Sequence, residues 1–299
     1  SWTPPVATPA PPTLDPVALA RWHRMAPAAS PWLHEEVARR MAERLEWIRL
    51  QPAAWVHWAP ARGGLQAQAA LAARYSRAAC TVVEPQPAAR ELARRHLAPP
   101  WWRRWTAPPV TVTEQPAEGA AQMLWANMAL HTAADPEALI AQWHRALATD
   151  GFVMFSCLGP DSLRELRALY ARLGWPPAGP DFTDMHDWGD MLVHAGFAEP
   201  VMDMERITLT WASPQTLLAE LRELGANLHP ARFAACRGRR WRQRLDDALR
   251  EALAGPDGRL ALTFEIVYGH AVKPAPRLRV AGESRVSLQD MRQILRPGR

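Results

Sequence analysis

The sequence predicts an α/β fold, a doubly wound and mostly parallel seven-stranded sheet with a helical cap insertion. Three observations predict it. Short, near-continuous apolar runs alternate with helical stretches from residue 54 to residue 158. That alternation marks strands buried on both faces and joined by right-handed crossovers. Two long apolar segments near the end, 201–211 and 261–274, enclose two helical stretches, which places the insertion at about 213–256. Finally, 299 residues with 48% hydrophobic and 22% charged side chains suit one large domain and exclude wholesale disorder.

Residues 1–16 hold six prolines and little that forms a core, and read as an extended, disordered tail. A domain over 17–274 follows. In SPWLHEEVARRMAERLEWIRL, Ser30 is placed to cap a helix and Pro31 suits its first position. Val37, Met41, Leu45 and Ile48 then recur on one helical face. AWVHW (54–58) is a short strand and LQAQAALAARY (65–75) an Ala-rich helix. CTVVE (80–84) is a β-branched strand ending on an acid, and PAARELARRHL (87–97) a helix. VTVTE (110–114) is another strand ending on an acid, and MLWANMALH (123–131) a strand running into a loop. Pro136 opens a helix, Asp150-Gly151 makes a turn, and GFVMFSCL (151–158) is a strand. DSLRELRALYARL (161–173) is helical, and Gly196 stops the helix in DMHDWGDMLVHAGF (184–197). VMDMERITLTW (201–211) is a strand, 214–225 and 239–254 are helical, and ALTFEIVYGHAVKP (261–274) is the last strand. Residues 275–299 read as a C-terminal appendage of low order.

The formal net charge of +5 is carried almost wholly by arginine, with Lys273 the one lysine. An excess this mild does not call for nucleic acid, and high-GC coding accounts for an Arg-, Ala- and Pro-rich chain. Cys80, Cys157 and Cys236 are odd in number and widely spaced, without metal-ligand spacing, so neither a disulfide framework nor a zinc site is predicted. No metal site, signal peptide or membrane-spanning run is found, and a reducing cytoplasm is the expected compartment. RFAACRGRRWRQR (232–244) packs six arginines, suiting either an acidic protein partner or a solvated helix face. WWRRW (101–105) pairs aromatics with cations, and a partner interface or sheet edge explains it better than stacked bases.

In doubly wound sheets ligands sit at the carboxyl ends of the strands. Glu84, ending the second strand, suits the hydroxyls of a ribose; a plain surface acid is the alternative. The first strand runs into WVHWAPARGG (55–64), where a nucleoside-binding loop is expected, yet the break reads Ala-Pro-Ala-Arg.

This order of elements resembles the Rossmann-like class I S-adenosyl-L-methionine (SAM)-dependent methyltransferases. The stretches LGPDSLRELR (158–167), FTDMHDWGDMLVHAGFAEPVMDMERITLT (182–210), TFEIVYGHAVKP (263–274) and SPWLHEEVARRMAERLEWIRLQP (30–52) resemble the malonyl-carrier-protein O-methyltransferases of biotin synthesis. A methyltransferase-like assembly factor of respiratory complex I shares the D-x-L-x-E-L-R and AGF stretches. The resemblance spans roughly residues 20–274. It implies methyl transfer from SAM to the free carboxyl of a malonyl thioester on an acyl carrier protein; the lack of a long apolar run predicts no membrane partner, and the mild charge does not call for nucleic acid.

Laid on the family's Asp-x-Gly-x-Gly-x-Gly loop, His57 takes the Asp place, Ala59 and Ala61 the first two glycines and Gly63 the third. With Glu84 and Asn127, the Asn of the family's Asn-Leu-Ala-Leu stretch, His57, Ala59 and Gly63 form the implied cofactor set. Alanine at a position of positive φ costs about 1–2 kcal/mol, and Pro60 removes an N–H donor. The loop therefore either still admits SAM, or has closed to leave a catalytically degenerate binding or assembly protein; an RNA-binding relative is a third reading. No catalytic acid or base is predicted, because a malonyl carboxylate is ionised at neutral pH and in-line transfer needs mainly positioning. Arg164 and His186 are implied for the malonyl end. Arg164 equally suits a pair with Asp161, and His186 a helix start. The family's N-terminal tyrosine has no counterpart around residues 26–32, and PPAGPD stands where a His-x-x-Arg-like element is expected.

Overall fold

A computed structural model describes residues 14–107, 109–225, 228–229, 232 and 238–277. The Pro-rich tail up to residue 13, Cys236, most of the 232–238 stretch and the appendage beyond 277 lie outside the described residues.

The first element is α1 (Pro16–Arg24), which the sequence pattern did not announce. It starts inside the segment read as tail, because Asp15 caps it: one carboxylate oxygen accepts from the N–H groups of Val17 and Ala18 at 2.9 and 3.0 Å, and Pro16 takes the first turn. Helix α2 (Trp32–Arg44) buries Leu33, Val37 and Met41 and passes through a 3₁₀ turn at Leu45–Trp47. Ser30 does not cap it. Pro31 holds the cap position without a side-chain bond, and the Ser30 hydroxyl instead donates to Ala61 O and accepts from Leu65 N at 3.3 and 3.2 Å.

The alternating part follows: β1 (Ala54–Trp58), a helical turn α3 (Pro60–Gly63), α4 (Ala67–Arg74), β2 (Ala79–Val83), α5 (Pro87–Leu97), β3 (Val110–Thr113), β4 (Ala121–Ala126), α6 (Pro136–Ala146) and β5 (Leu147–Leu158). The expected turn at Asp150-Gly151 is an irregularity inside β5. Asp150 takes φ 67° and the pairing with β4 shifts register there. The later elements are α7 (Arg164–Arg172), α8 (Met185–His194), β6 (Ala198–Trp211), α9 (Pro214–Glu223), α10 (Arg239–Leu253) and β7 (Leu260–Val272). Gly196, at φ 104°, ends the α8 segment as expected.

The seven strands lie in the order β3-β2-β1-β4-β5-β7-β6, parallel except for β7, which runs antiparallel to both neighbours. Strand alternation divides the core. Trp55, Val82, Met123 and Trp125 face a layer made with α2, α7, α9 and α10; Val56, Val83, Leu124 and Phe155 face α6 and α8. The inserted helices α9 and α10 bury Leu217, Leu221, Leu245 and Leu249 beside Leu260, Leu262 and Phe264 of β7. Leu14, Leu19 and Trp22 pack with Leu228 in a small cluster of their own. The reversal of strand order at β1 and β4 opens a crevice at their carboxyl ends, and α1 lies beside it.

Candidate functional site

A cavity of about 610 Å³ occupies that crevice. Its floor comes from the strand ends: Trp58, Ala59 and Gly63 after β1, Glu84 and Pro85 after β2, and Asn127 and Met128 after β4. Its roof is α1 and the turn behind it, through Trp22, His23, Met25 and Pro27. Among the described residues, α9 and α10 contribute nothing to its lining.

The loop after β1 keeps its shape with unusual residues. Ala59 adopts the left-handed conformation, φ 47° and ψ 49°, while its N–H donates to Val83 O at 2.8 Å. Pro60 opens the α3 turn, where the missing N–H would have had no helical partner anyway. Ala61 is inside that turn with no positive φ, so of the two alanines only Ala59 is strained, and the expectation that either substitution costs conformational energy is corrected for Ala61. Gly63 is required by close approach, since a Cβ there would sit 2.6 Å from Asn127 O. Gly64 is required by its φ of 132°.

Glu84 is 3% exposed, and its Oε1 accepts from the Ala61 N–H at 2.7 Å. Burial pushes its carboxyl up to about 7, against the pull of the Ala61 N–H and of the Arg62 and Arg90 guanidinium groups. Asn127 is a clamp. Its Nδ2 donates to His34 O at 2.8 Å and to Gly63 O at 2.5 Å, and its Oδ1 accepts from Ser156 Oγ at 2.6 Å. One side chain thus joins α2, the α3 turn and β5 at the end of β4.

His57 stays outside the cavity. Its position in β1 turns the ring to the α2 face, where Nδ1 meets Gln68 Oε1 at 2.7 Å, and burial lowers its pKa to about 4. Arg164 and His186 also lie away from the lining. The Arg164 side chain is 55% exposed, 3.7 Å from Glu165; Asp161, its alternative partner, pairs with Arg206 at 2.7 Å. His186 is 80% exposed and bonded to Asp184, which caps α8. Two neighbours of Arg164 in this stretch, Glu165 and Arg167, are scaffold. Glu165 accepts from Thr263 N and Oγ1 on β7, and Arg167 donates to Ser162 O and Pro180 O, tying down the loop before α8.

Sequence reasoning passed over Arg62. Its guanidinium lies 3.6 Å over the Trp22 ring and donates to Trp22 O, Met25 O and Glu223 O at 3.2, 2.7 and 3.2 Å. Burial brings it down to about 10, still charged at neutral pH. On the other side of the cavity the His23 ring donates from Nε2 to Thr132 O at 2.8 Å. Arg62 and His23 thus hold α1 as a strap across the mouth. No spacing rule links residues 22 and 62; the one sequence signal was an arginine where a glycine loop is expected. His34 and His131 were also passed over. Both are buried and held neutral, His34 at about 4 and His131 at about 3, chiefly by desolvation. The expected core thiols Cys80 and Cys157 are free and buried, and burial pushes both well above the ordinary thiol range. Trp101, Trp102 and Trp105 are exposed on the connection from α5 to β3, at the amino ends of the strands and so at the opposite end of the sheet from the cavity.

Comparison with known proteins agrees with this geometry. A sequence-family model described as a methyltransferase domain matches residues 61–155. The chain is 38% identical over 258 residues to the malonyl-[acyl-carrier protein] O-methyltransferase of Laribacter hongkongensis, covering 83% of this chain and 84% of that one. It is 39% identical over 261 residues to the protein of the same name from Gallionella capsiferriformans, covering 84% and 87%. Among solved structures, the YcgJ protein of Bacillus subtilis aligns with a TM-score of 0.53 at 12% identity, over 81% of this chain and 99% of that one, which shows the shared fold.

Proposed function

The chain belongs to the malonyl-[acyl-carrier protein] O-methyltransferase family, and from that premise we propose that it methylates the free carboxyl of a malonyl thioester on a carrier protein, using SAM. It is a SAM-dependent methyltransferase. The resemblance of residues 158–210 supports biotin synthesis as the setting of the reaction. The observation that carries this reading is the open cavity beside Glu84 and Gly63: the altered loop has not closed, and 610 Å³ falls within the roughly 300–1,000 Å³ typical of small-molecule sites. A degenerate, non-catalytic relative is correspondingly not favoured.

The residues fit the cofactor. Glu84 is a carboxylate at the end of β2 with one oxygen fixed by a backbone N–H, placed to accept from a ribose diol. Gly63 supplies a wall without a Cβ, and Pro85, Met128 and Ala129 supply apolar surface for a base. When bound, SAM supplies an electrophilic methyl group on a sulfonium. The chain's own work is then positional. Asn127 sets the distance between the α3 turn and β4, and Trp22 and His23 of α1 roof the cavity. Arg164 and His186 remain our proposed contacts for the malonyl arm on the outer surface, where the ion pair of Asp161 is made with Arg206. His57 acts in this reading by bracing β1 against Gln68 rather than by touching ligand.

Titration calorimetry with S-adenosylhomocysteine, followed by mass spectrometry of malonyl-carrier protein incubated with SAM, tests the reading. We expect saturable heat and a carrier protein heavier by one methylene. Absence of heat at millimolar ligand sinks the proposal.

A further inference from the structure

Resting on the reading that the substrate arrives on a carrier protein, we propose that the outer face of α1, with Arg21 and Arg24 at its centre, is where that acidic protein docks.

Three observations converge on this face. First is position. Trp22 and His23 line the cavity, so Arg21 and Arg24, one helical turn apart and both exposed, stand at its rim. A substrate tethered to a protein must enter from a partner seated beside the mouth, and α1 forms one side of it, with Asp135, Leu139 and Arg145 from the α6 segment on another. Second is charge. No acid occurs between Asp15 and Glu35, and neither arginine makes an ion pair among the described residues. Two uncommitted cations beside an opening attract an anionic partner and speed its encounter. Val17 and Met25, 69% and 57% exposed, add apolar surface to the same short helix.

Third is rigidity. The strap is pinned at several points: Asp15 caps α1 and pairs with Arg232 at 2.7 Å, Asp15 N donates to Leu228 O, and the Trp22 indole N–H donates to Arg222 O at 3.2 Å. With Arg62 beneath it, α1 presents its arginines in fixed positions, which lowers the ordering cost of docking. Arg145 of α6 also lines the cavity and is exposed, but as a single cation, and the larger cationic surfaces lie away from the mouth. Arg239, Arg240 and Arg242 of α10 are exposed, but α10 lines no part of the cavity. Arg103 and Arg104 stand at the far end of the sheet.

The test compares two methyl acceptors with one acyl group, malonyl-carrier protein and malonyl-coenzyme A, on the full chain. In R21E/R24E we expect KM for the carrier-bound substrate to rise roughly tenfold or more. We expect kcat, the kcat/KM for malonyl-coenzyme A and the affinity for S-adenosylhomocysteine to stay unchanged. R21K/R24K should keep the carrier-protein KM, and added salt should raise that KM in the unsubstituted protein. An unchanged carrier KM in R21E/R24E overturns the proposal, as does a rise seen in R239E/R240E instead. A parallel loss on both acceptors also overturns it, because the helix would then be serving the cavity alone. If the unsubstituted protein methylates neither acceptor, the functional reading falls, and the docking proposal with it. If it methylates both and R21E/R24E changes neither, only the docking proposal falls.

Discussion

In the proposed cofactor site, Glu84 would tie ligand binding to pH through one carboxylate. Burial raises its pKa to about 7 even though the Ala61 N–H and two guanidinium groups favour the charged form. In the proposed site a ribose diol would donate to the ionised carboxylate, so binding would draw on the deprotonated fraction alone. The sign follows: affinity for S-adenosylhomocysteine rises with pH through about 7 and levels off above it, and should be about tenfold weaker one unit below the midpoint than on the plateau. Glu84→Gln, measured by calorimetry between pH 6 and 8, should bind more weakly and lose that slope. The neighbouring loop makes a separate prediction about stability. Ala59 holds φ 47° and Ala61 does not have positive φ, so Ala59→Gly should stabilise the protein by about 0.5–1 kcal/mol. Ala61→Gly should destabilise it by a similar amount, as glycine inside a helical turn does. Denaturant midpoints of the two variants should therefore move in opposite directions; equal shifts would mean that the turn relaxes on substitution.

At the scale of elements, α1 is nine residues long and too short to be stable alone. Among the described residues its buried apolar contact is the small cluster of Leu14, Leu19, Trp22 and Leu228, and Arg62 adds the stacking and hydrogen bonds that attach it to the α3 turn. Arg62→Ala should speed amide hydrogen exchange over residues 16–24 while leaving α6 protected, and should raise the dissociation rate of S-adenosylhomocysteine by roughly tenfold. Unchanged exchange in α1 would show that the cluster holds it without the arginine. This element also marks a limit of sequence reading. Strands such as Ala54–Trp58 and helices such as Pro87–Leu97 were legible to the residue, because burial on both faces or on one helical stripe writes a period into the chain. A short helix that buries only two of its side chains, Leu19 and Trp22, leaves no period to read. Ser30 failed as a predicted cap for a related reason: capping residues are interchangeable donors and acceptors, and a loop 31 residues away supplied better partners.

Over the whole molecule, the two ends of the sheet carry different surfaces. The carboxyl ends of β1, β2 and β4 hold the cavity, roofed by α1; the amino ends carry the exposed tryptophans of 101–105. The long antiparallel β6–β7 ribbon is drawn onto the body by a charged network. Arg40 pairs with Glu205 at 3.1 Å, Arg44 with Asp203 at 2.9 Å, and Arg44 stacks 3.6 Å from the Tyr268 ring while Tyr268 donates to Glu205. These bonds join α2, near the start of the chain, to its last two strands.

Local pattern alone settled the alternation of strands and helices, the acid at the end of β2, the glycine that closes the α3 turn and the family resemblance, since each is written in neighbouring residues whose spacing reflects their own burial or backbone geometry. Tertiary structure decided which of these residues meet. It turned His57 inward to Gln68, gave Asp161 to Arg206 rather than Arg164, engaged Asn127 with three separate segments, and roofed part of the cavity with a helix held by Arg62. The physical reason is the same in each case. A polar side chain binds whichever partner the folded chain brings within about 3 Å, and that partner is commonly tens to hundreds of residues away, beyond the reach of any periodicity.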